Sequence, residues 1–318
     1  MDTIVYAARL KNREELKNSS SGGMFTAFSD IFLTQGNAVV CCLYNYETKH
    51  TEYHLTIDPK IRDLARGSKY MQSFLGDIFR ESILWLKENP GKKLIFFGMG
   101  CQVAAFKRFA ELNGFTERVI LVDIICHGSS SPMIWEEYIK NIEIHHGKMQ
   151  FLSFKDKRKG WNKPTALAVV SGKEIFLDDY VRIFYSNCAF RPACHRCPYT
   201  SVKRSSDITI GDFWGIEHSI PDFYDEMGNS LVLIHTSKGL KLFEQCKDQI
   251  DYSKSNVKDC LQPNLVNPTE ISKERAQFWK DYHKYGVNYI MKKYGSLNLK
   301  KRIKNKIYYI FGGRDMTH

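Results

Sequence analysis

The chain holds nine cysteines, and their spacing sorts them. Cys194-His-Arg-Cys197-Pro198 is a CxxC in a stretch without helical or strand periodicity. Two sulfurs at that spacing reach one metal centre, and a Pro after the second Cys accompanies cluster ligation. The same spacing also serves zinc and thiol redox chemistry. Cys101 and Cys126 each close an apolar run expected to be a strand, just before a helix. In a parallel sheet the carboxyl ends share one edge, where ligands bind. A helix N-terminus favours a thiolate and lowers its pKa. Together with the CxxC this makes four sulfurs, the number a [4Fe–4S] cluster takes. Two other readings stand beside it. Cys101 and Cys126 read as small buried hydrophobes, and the loop pair as a structural zinc site with Cys188, His195 or His127. Cys41, Cys42, Cys246 and Cys260 read as packing.

Neither GxGxxG after a strand nor GxxxxGK[ST] occurs. Three small-residue loops adjoin expected helices: Ser19 to Gly23, Gly67 to Tyr70 and Gly98 to Gly100. Each offers backbone N–H groups and hydroxyls to a pyrophosphate, and Lys69 adds a cation. A plain helix cap explains the same residues. The basic run Lys155 to Lys159 with Trp161 fits nucleic-acid binding by charge and stacking; a solvated loop fits equally. Asp207 to Gly215 reads as a strand ending in a Gly-bounded turn.

These residues need a scaffold. Strands are expected at Thr3–Leu10, at the pair Asn37–Tyr44 and Thr51–Ile57, and at Lys93–Phe97, Arg118–Ile125 and Asp207–Ile210. Helices are expected from Met24, at Ile61–Leu64, and over Phe74–Leu86, Cys101–Leu112, Ile134–His145 and Asp178–Asn187. Gly98-Met99-Gly100 reads as a turn. Two successive strand–loop–helix units imply parallel strands under helices. The expected fold is α/β: a mixed, largely parallel sheet with covering helices, a Cys-rich loop region and a helical C-terminal extension. Residues 1-220 are expected as the main domain and 221-318 as a basic, partly helical region packed on it or docked to it.

Composition sets the limits. With 318 residues, 43% hydrophobic and 25% charged, the chain has globular values. No apolar run approaches the ~20 residues of a membrane helix, and no signal peptide opens the sequence. The expected compartment is the cytoplasm, where a disulfide framework is not expected. The net charge of +11 suits nucleic acid, a membrane surface, acidic cofactors or an acidic redox partner.

Several motifs occur together. They are Ser19-Ser-Ser-Gly-Gly-Met24, Gly67-Ser-Lys-Tyr70, Gly100-Cys-Gln102, Val122-Asp-Ile-Ile-Cys-His-Gly128, Lys157-x-x-Gly-Trp161, Arg191-x-x-Cys-x-x-Cys197 and Asp207-Ile-Thr-Ile-Gly-Asp-Phe-Trp-Gly215. The set and its order resemble the coenzyme F420 hydrogenase/dehydrogenase beta-subunit family, of the bacterial kind associated with surface-polysaccharide genes. The resemblance covers about residues 3 to 220. It implies a flavoprotein with FAD against an α/β domain and a [4Fe–4S] cluster close by. The implied cluster ligands are Cys101, Cys126, Cys194 and Cys197. The implied flavin contacts are Ser21, Gly22, Gly23, Thr26, Gly67, Ser68, Lys69, Tyr70, Gly98, Gly100 and Gln102, with Asp212 beside the site. Two features depart from the family. Many relatives carry an N-terminal ferredoxin-like segment, but no Cys precedes Cys41. The family's Gly-Thr-Pro-Cys is here Gly98-Met99-Gly100-Cys101.

The leading expectation is a cytoplasmic FAD- and [4Fe–4S]-dependent oxidoreductase in electron transfer. His127 is the candidate for proton delivery, and Lys157 for binding an anionic substrate or the cofactor. A separate ferredoxin-like carrier and a small-molecule or sugar-type substrate, in surface polysaccharide biosynthesis, are the expected partners; nucleic acid is not. One alternative is a zinc-stabilised nucleic-acid-binding module. The other is a non-catalytic assembly or membrane-surface protein, docked through the basic stretch carrying Ile303, Ile307 and Phe311.

Overall fold

A computed structural model describes residues 1–163 and 165–296. Twelve strands appear in chain order: β1 (Ile4–Leu10), β2 (Ala38–Tyr44), β3 (Thr51–Thr56), β4 (Ser73–Phe74), β5 (Leu94–Met99), β6 (Val119–Ile124), β7 (Met149–Asp156), β8 (Thr165–Val170), β9 (Lys173–Phe176), β10 (Ile208–Asp212), β11 (Ser230–Ile234) and β12 (Ile250–Ser255). Nine form one sheet in the order β12-β1-β11-β10-β6-β5-β2-β3-β4. The central strands β10, β6, β5 and β2 are mutually parallel. Antiparallel neighbours flank them, β3 on one side and β11 with β1 and β12 on the other.

Both faces of this sheet are covered, so its strands read as continuous apolar runs. Side chains alternate along each strand. Val39, Ile95 and Phe97 face one core with Met24 and Phe28. Val40, Leu94 and Phe96 face the other with Val103 and Phe106. The covering helices are α1 (Arg13–Asn18), α2 (Met24–Thr34), α3 (Pro59–Leu64), α4 (Ile78–Glu88) and α5 (Gly100–Leu112). A second, three-stranded sheet, β7-β8-β9, carries its own core. Trp135 and Ile139 of α6 (Pro132–His146) and Tyr180 and Ile183 of α7 (Asp178–Tyr185) pack there, with Phe278 of the helix Arg275–Tyr285. Helix α6 starts on Pro132, whose missing N–H suits a first turn, and stops at Gly147 with φ of 96°.

The expected boundary at 220 falls between β10 and β11, which are paired neighbours in the large sheet. The helix expected over Phe74–Leu86 begins at Ile78, because Ser73–Phe74 pair with β3 instead. Gly98-Met99-Gly100 is not a turn. Strand β5 runs through Met99 and α5 starts on Gly100. The Gln102 Oε1 caps that junction by accepting the Met99 N–H at 3.0 Å. Among the described residues no helix is long and apolar enough to cross a membrane. The basic stretch from 297 onward, on which the docking expectation rests, lies outside the described residues.

Candidate functional site

Parallel β5, β6 and β10 end together, and the first residues of β3 and β11 meet them at the same edge. A cavity of about 310 Å³ opens there, lined by Gly98, Ile124, Cys126, Asp212, Thr51 and Ser230 among others. This is the carboxyl edge where open α/β sheets bind ligands. The start of α2 closes another part of the wall. Gly23 at φ 81° leads into α2, which has no side-chain cap. Gly22 lies flat on the sheet, where a Cβ would come within 2.2 Å of the Ala8 carbonyl oxygen. Arg66, Gly67, Ser68 and Lys69 follow α3 on the same wall. Arg66 Nε is buried there with no partner.

Asp212, at the end of β10, organises the wall. Its carboxylate accepts from Lys155 Nζ, from Ser21 Oγ and from Trp161 Nε1, the last at 3.2 Å. Burial alone would push this carboxyl up. The Lys155 ammonium beside it and the three hydrogen bonds hold it below its usual pKa, so it stays charged. Lys157, two residues on, turns away from the cavity. Its Nζ donates to the carbonyls of Leu16 (2.8 Å), Ser21 (2.7 Å) and Met227 (2.6 Å). All three of its donors are used, so Lys157 fixes the Ser19–Gly23 loop and has no donor left for a ligand. Burial pushes it down to about 7. Arg158 pairs with Asp156 and Glu174. The run Lys155 to Lys159 is therefore largely committed inside the molecule and is no open cationic strip.

His127 lines the cavity with both ring nitrogens engaged, at 3.0 Å from Asn187 Oδ1 and 3.3 Å from Asn264 Oδ1. Burial lowers its pKa against those two hydrogen bonds. Lys69 lines the wall too, with Nζ on the carbonyls of Ala65, Arg66 and Gly67 at the end of α3. Burial lowers its pKa. Tyr70 stacks on Phe184 at 4.5 Å and meets the Tyr185 hydroxyl at 3.2 Å.

The four thiols gather behind one wall. Cys126 lines the cavity, Cys101 is exposed, and Cys194 and Cys197 are half-buried. Burial and then the neighbouring Cys194 and Cys101 push Cys126 up to about 12. Burial, Cys197 and Cys194 likewise raise Cys101. The backbone groups of Cys101 and Gln102 at the start of α5 act the other way and lower it. Each thiol feels the others because two loops are stitched together. Ser131 N–H donates to Ala189 O (2.8 Å) and Arg191 N–H to Ser129 O (2.9 Å). Gly100 permits the closure, since a Cβ there would sit 2.9 Å from Tyr199 Cβ and 3.1 Å from Arg204 Nη1. Ser129 Oγ, His195 Nε2 and Arg204 Nη2 are buried here without partners. Among the described residues no three His, Cys, Asp or Glu side chains form a shell for a single metal ion.

Of the expected flavin contacts, Ser21, Gly23, Gly67, Ser68, Lys69 and Tyr70 line the cavity, as do Gly98 and Asp212. Gly22, Thr26, Gly100 and Gln102 stand behind it. Thr26 is buried within α2. Gln102 is held by Tyr53 OH (2.7 Å) and Ser73 Oγ (2.9 Å). Sequence reasoning missed Lys155, Tyr185 and Arg66. Lys155 was hidden in a charge run, although Phe154, a core residue just before it on β7, places Lys155 on the opposite face. Tyr185 and Arg66 gave no signal beyond their type.

A family model describing the C terminus of the beta subunit of coenzyme F420 hydrogenase/dehydrogenase matches residues 91–259, more than half of the chain. That span contains all four clustered thiols. Among solved structures, a chain of the xenon-derivatised F420-reducing [NiFe] hydrogenase complex from Methanosarcina barkeri is similar at TM-score 0.50 and 19% identity. The alignment covers 91% of this chain and 90% of that one. At that identity the likeness is one of fold. No curated protein matches. By its matched span, this chain belongs to the coenzyme F420 hydrogenase/dehydrogenase beta-subunit family.

Proposed function

We propose that the chain is an oxidoreductase component that binds FAD in the sheet-edge cavity and a [4Fe–4S] cluster on Cys101, Cys126, Cys194 and Cys197. The observation that carries the reading is Cys126, a member of the thiol group that also lines the cavity. The residues fit both groups. A cavity of about 310 Å³ with a few convergent polar side chains suits a small-molecule or cofactor site. The uncapped start of α2, the hydroxyls of Ser20 and Ser68, and the unpartnered Arg66 Nε suit the phosphates of a dinucleotide. The unpartnered Ser129 Oγ and Arg204 Nη2 suit the sulfur acceptors of a cluster. A cluster takes one thiolate per iron, so its ligands need not share an ion. A zinc site needs three or four ligands on one ion, and the described residues supply no such group.

When bound, FAD would supply two-electron chemistry and the cluster one-electron steps. The chain's part is placement. Asp212 and Lys155 hold a fixed charge pair in the wall, Asn187 and Asn264 hold the His127 ring, Tyr185 presents a hydroxyl proton, and Trp214 lines the cavity. The substrate is proposed as a small molecule, with a sugar-type compound of surface polysaccharide biosynthesis in the cytoplasm as its class.

Anaerobic purification with iron, sulfide, zinc and flavin assays on one sample tests this. The expected result is about four irons, four sulfides and one FAD per chain. Zinc without flavin or sulfide would overturn the reading and favour a binding module. Flavin without iron would return the four thiols to packing.

A further inference from the structure

The net charge of the chain is not spread along it. Residues 275–318 hold 11 Lys and Arg against 2 Asp, a net of +9. Residues 1–274 hold 35 against 33 Asp and Glu, a net of +2. The excess therefore belongs to one end of the sequence. Of that end the structure describes the helix Arg275–Tyr285, the helical turn Val287–Ile290 and the stretch Met291–Gly295. Their inner faces pack into the second core through Phe278, Tyr282, Val287, Ile290 and Met291. Their outer faces carry cations and tyrosines. Lys280, Lys284 and Lys292 are exposed, and none of them forms an ion pair among the described residues. Lys293 differs, since it pairs with Asp281 at 2.6 Å and so neutralises one of the two acids of this end. Tyr285 and Tyr289 are 50% and 38% exposed, and their rings meet at 4.5 Å. The Lys284 ammonium lies 5.0 Å from the Tyr285 ring. Helix α6 extends the same surface, because Asn141 Nδ2 donates to Asn288 Oδ1 at 3.0 Å. Beside Asn141 stands the exposed Lys140, and one turn on stands Ile144, 66% exposed. The acid one turn back, Glu137, accepts from the Tyr282 hydroxyl at 2.6 Å.

We propose that this outer face, continued by the basic sequence after it, docks the protein peripherally on an anionic lipid bilayer. The proposal is independent of the redox reading and holds whether or not the cavity takes a flavin. Unpaired lysines meet lipid phosphates, and their stems cover apolar surface while the ammonium stays in water. Tyrosine suits the same zone, with an apolar ring and a polar tip. Nucleic acid would use the cations but has no use for an exposed Ile144. A mixture of cations, tyrosines and aliphatic side chains is what an interfacial surface presents. The sequence past the described residues repeats that mixture, with five Lys and Arg from 300 to 306 and Ile303, Ile307, Ile310 and Phe311 among and after them. Each Lys or Arg held near such a surface strengthens binding about fivefold.

The test is flotation of the full chain with two kinds of vesicle, one of phosphatidylcholine alone and one with ~30% phosphatidylglycerol, at ~100 mM salt. The second should bind at least about tenfold more tightly, and ~500 mM salt should release the protein. Lys284→Glu with Lys292→Glu should weaken that binding about tenfold or more, and Tyr285→Ser with Tyr289→Ser about threefold or more. Lys254→Glu, an exposed position on edge strand β12, makes the same charge change elsewhere and should leave binding unchanged. Each variant must first show the wild-type thermal melt. If the lysine pair does not, Lys280→Glu with Lys140→Glu takes its place. Equal binding to both vesicles, or binding to neither, overturns the proposal. So do folded lysine and tyrosine pairs that bind as the wild type does. A loss with Lys254→Glu as large as with Lys284→Glu overturns it too, since bulk charge would then be responsible. A single-stranded RNA that binds more tightly than the vesicles and is released by the same substitutions overturns it in favour of nucleic acid.

Discussion

The cavity wall and the thiol loops sit side by side, yet they satisfy their polar groups differently. On the wall, Asp212 has three donors and Lys157 three acceptors. Gln102 and Lys69 are likewise engaged within the protein. Among the thiol loops, Ser129 Oγ, His195 Nε2 and Arg204 Nη2 are buried with nothing to bond. Unpaired buried polar groups are destabilising. The difference teaches that the Asp212 side of the wall satisfies itself, whereas unpartnered buried atoms collect in the thiol loops and, on the wall, at Arg66 Nε.

The largest effect should come from breaking the wall. Asp212→Ala strips Lys155, Ser21 and Trp161 of their acceptor, and both Lys155 and Asp212 side chains are at least 85% buried. Removing one partner of such a pair should destabilise by about 3–5 kcal/mol, read as a lower urea midpoint. Lys155→Met should couple to it in a double-mutant cycle. Strictly additive effects would show that the pair is not the organising contact.

Acid tests the same completeness at the sheet's far end. His235 is held by Thr209 Oγ1 (2.8 Å) and Thr3 Oγ1 (3.2 Å). Burial, then Arg204, depresses its pKa to about 4. An imidazole whose folded pKa lies below its unfolded value binds fewer protons folded than unfolded. Its contribution is therefore intact above the unfolded value near 6.5 and is lost as pH falls toward about 4, by roughly 3 kcal/mol at most. His235→Gln should flatten that window in denaturation curves. An unchanged pH dependence would mean that His235 is not the group responsible.

A smaller effect separates the two regions. Ala normally suits a helix better than Gly. At Gly100, however, a Cβ would press on Tyr199, Arg204 and Asp123. Gly100→Ala should therefore destabilise by about 1–3 kcal/mol and lower iron content more than flavin content. A stabilised variant with full iron would show that the loop does not close on that glycine. The smallest effect belongs to Ser129→Ala. With no partner for its hydroxyl, the cofactor-free protein should be unchanged or more stable by up to ~1 kcal/mol. A clear loss in a thermal melt would reveal a protein partner for Ser129.

Much of this was legible in the sequence because periodicity and spacing are local. Continuous apolar runs announced β5 and β6, and the Cys after each fixed which sheet edge mattered. What was not legible depends on register and on reach. Lys155 and Lys157 look alike in a basic run, but β7 sends Lys155 to Asp212, whereas Lys157 follows the strand's end and reaches three carbonyls. The pairing of β11 and β12 with β1 joins segments more than two hundred residues apart in one sheet. No local pattern encodes a contact over more than two hundred residues. The junction at Met99–Gly100 was misread because a Gly pair signals a turn, whereas here the small residue serves close approach.

The measurement that tests the account most directly is a joint iron and flavin analysis of Cys194→Ser beside the wild type, both purified anaerobically. Two neighbouring but separately built sites predict that iron falls from about four per chain to near none while about one flavin stays bound. Iron retained in full by the variant, or no flavin in either protein, would contradict it.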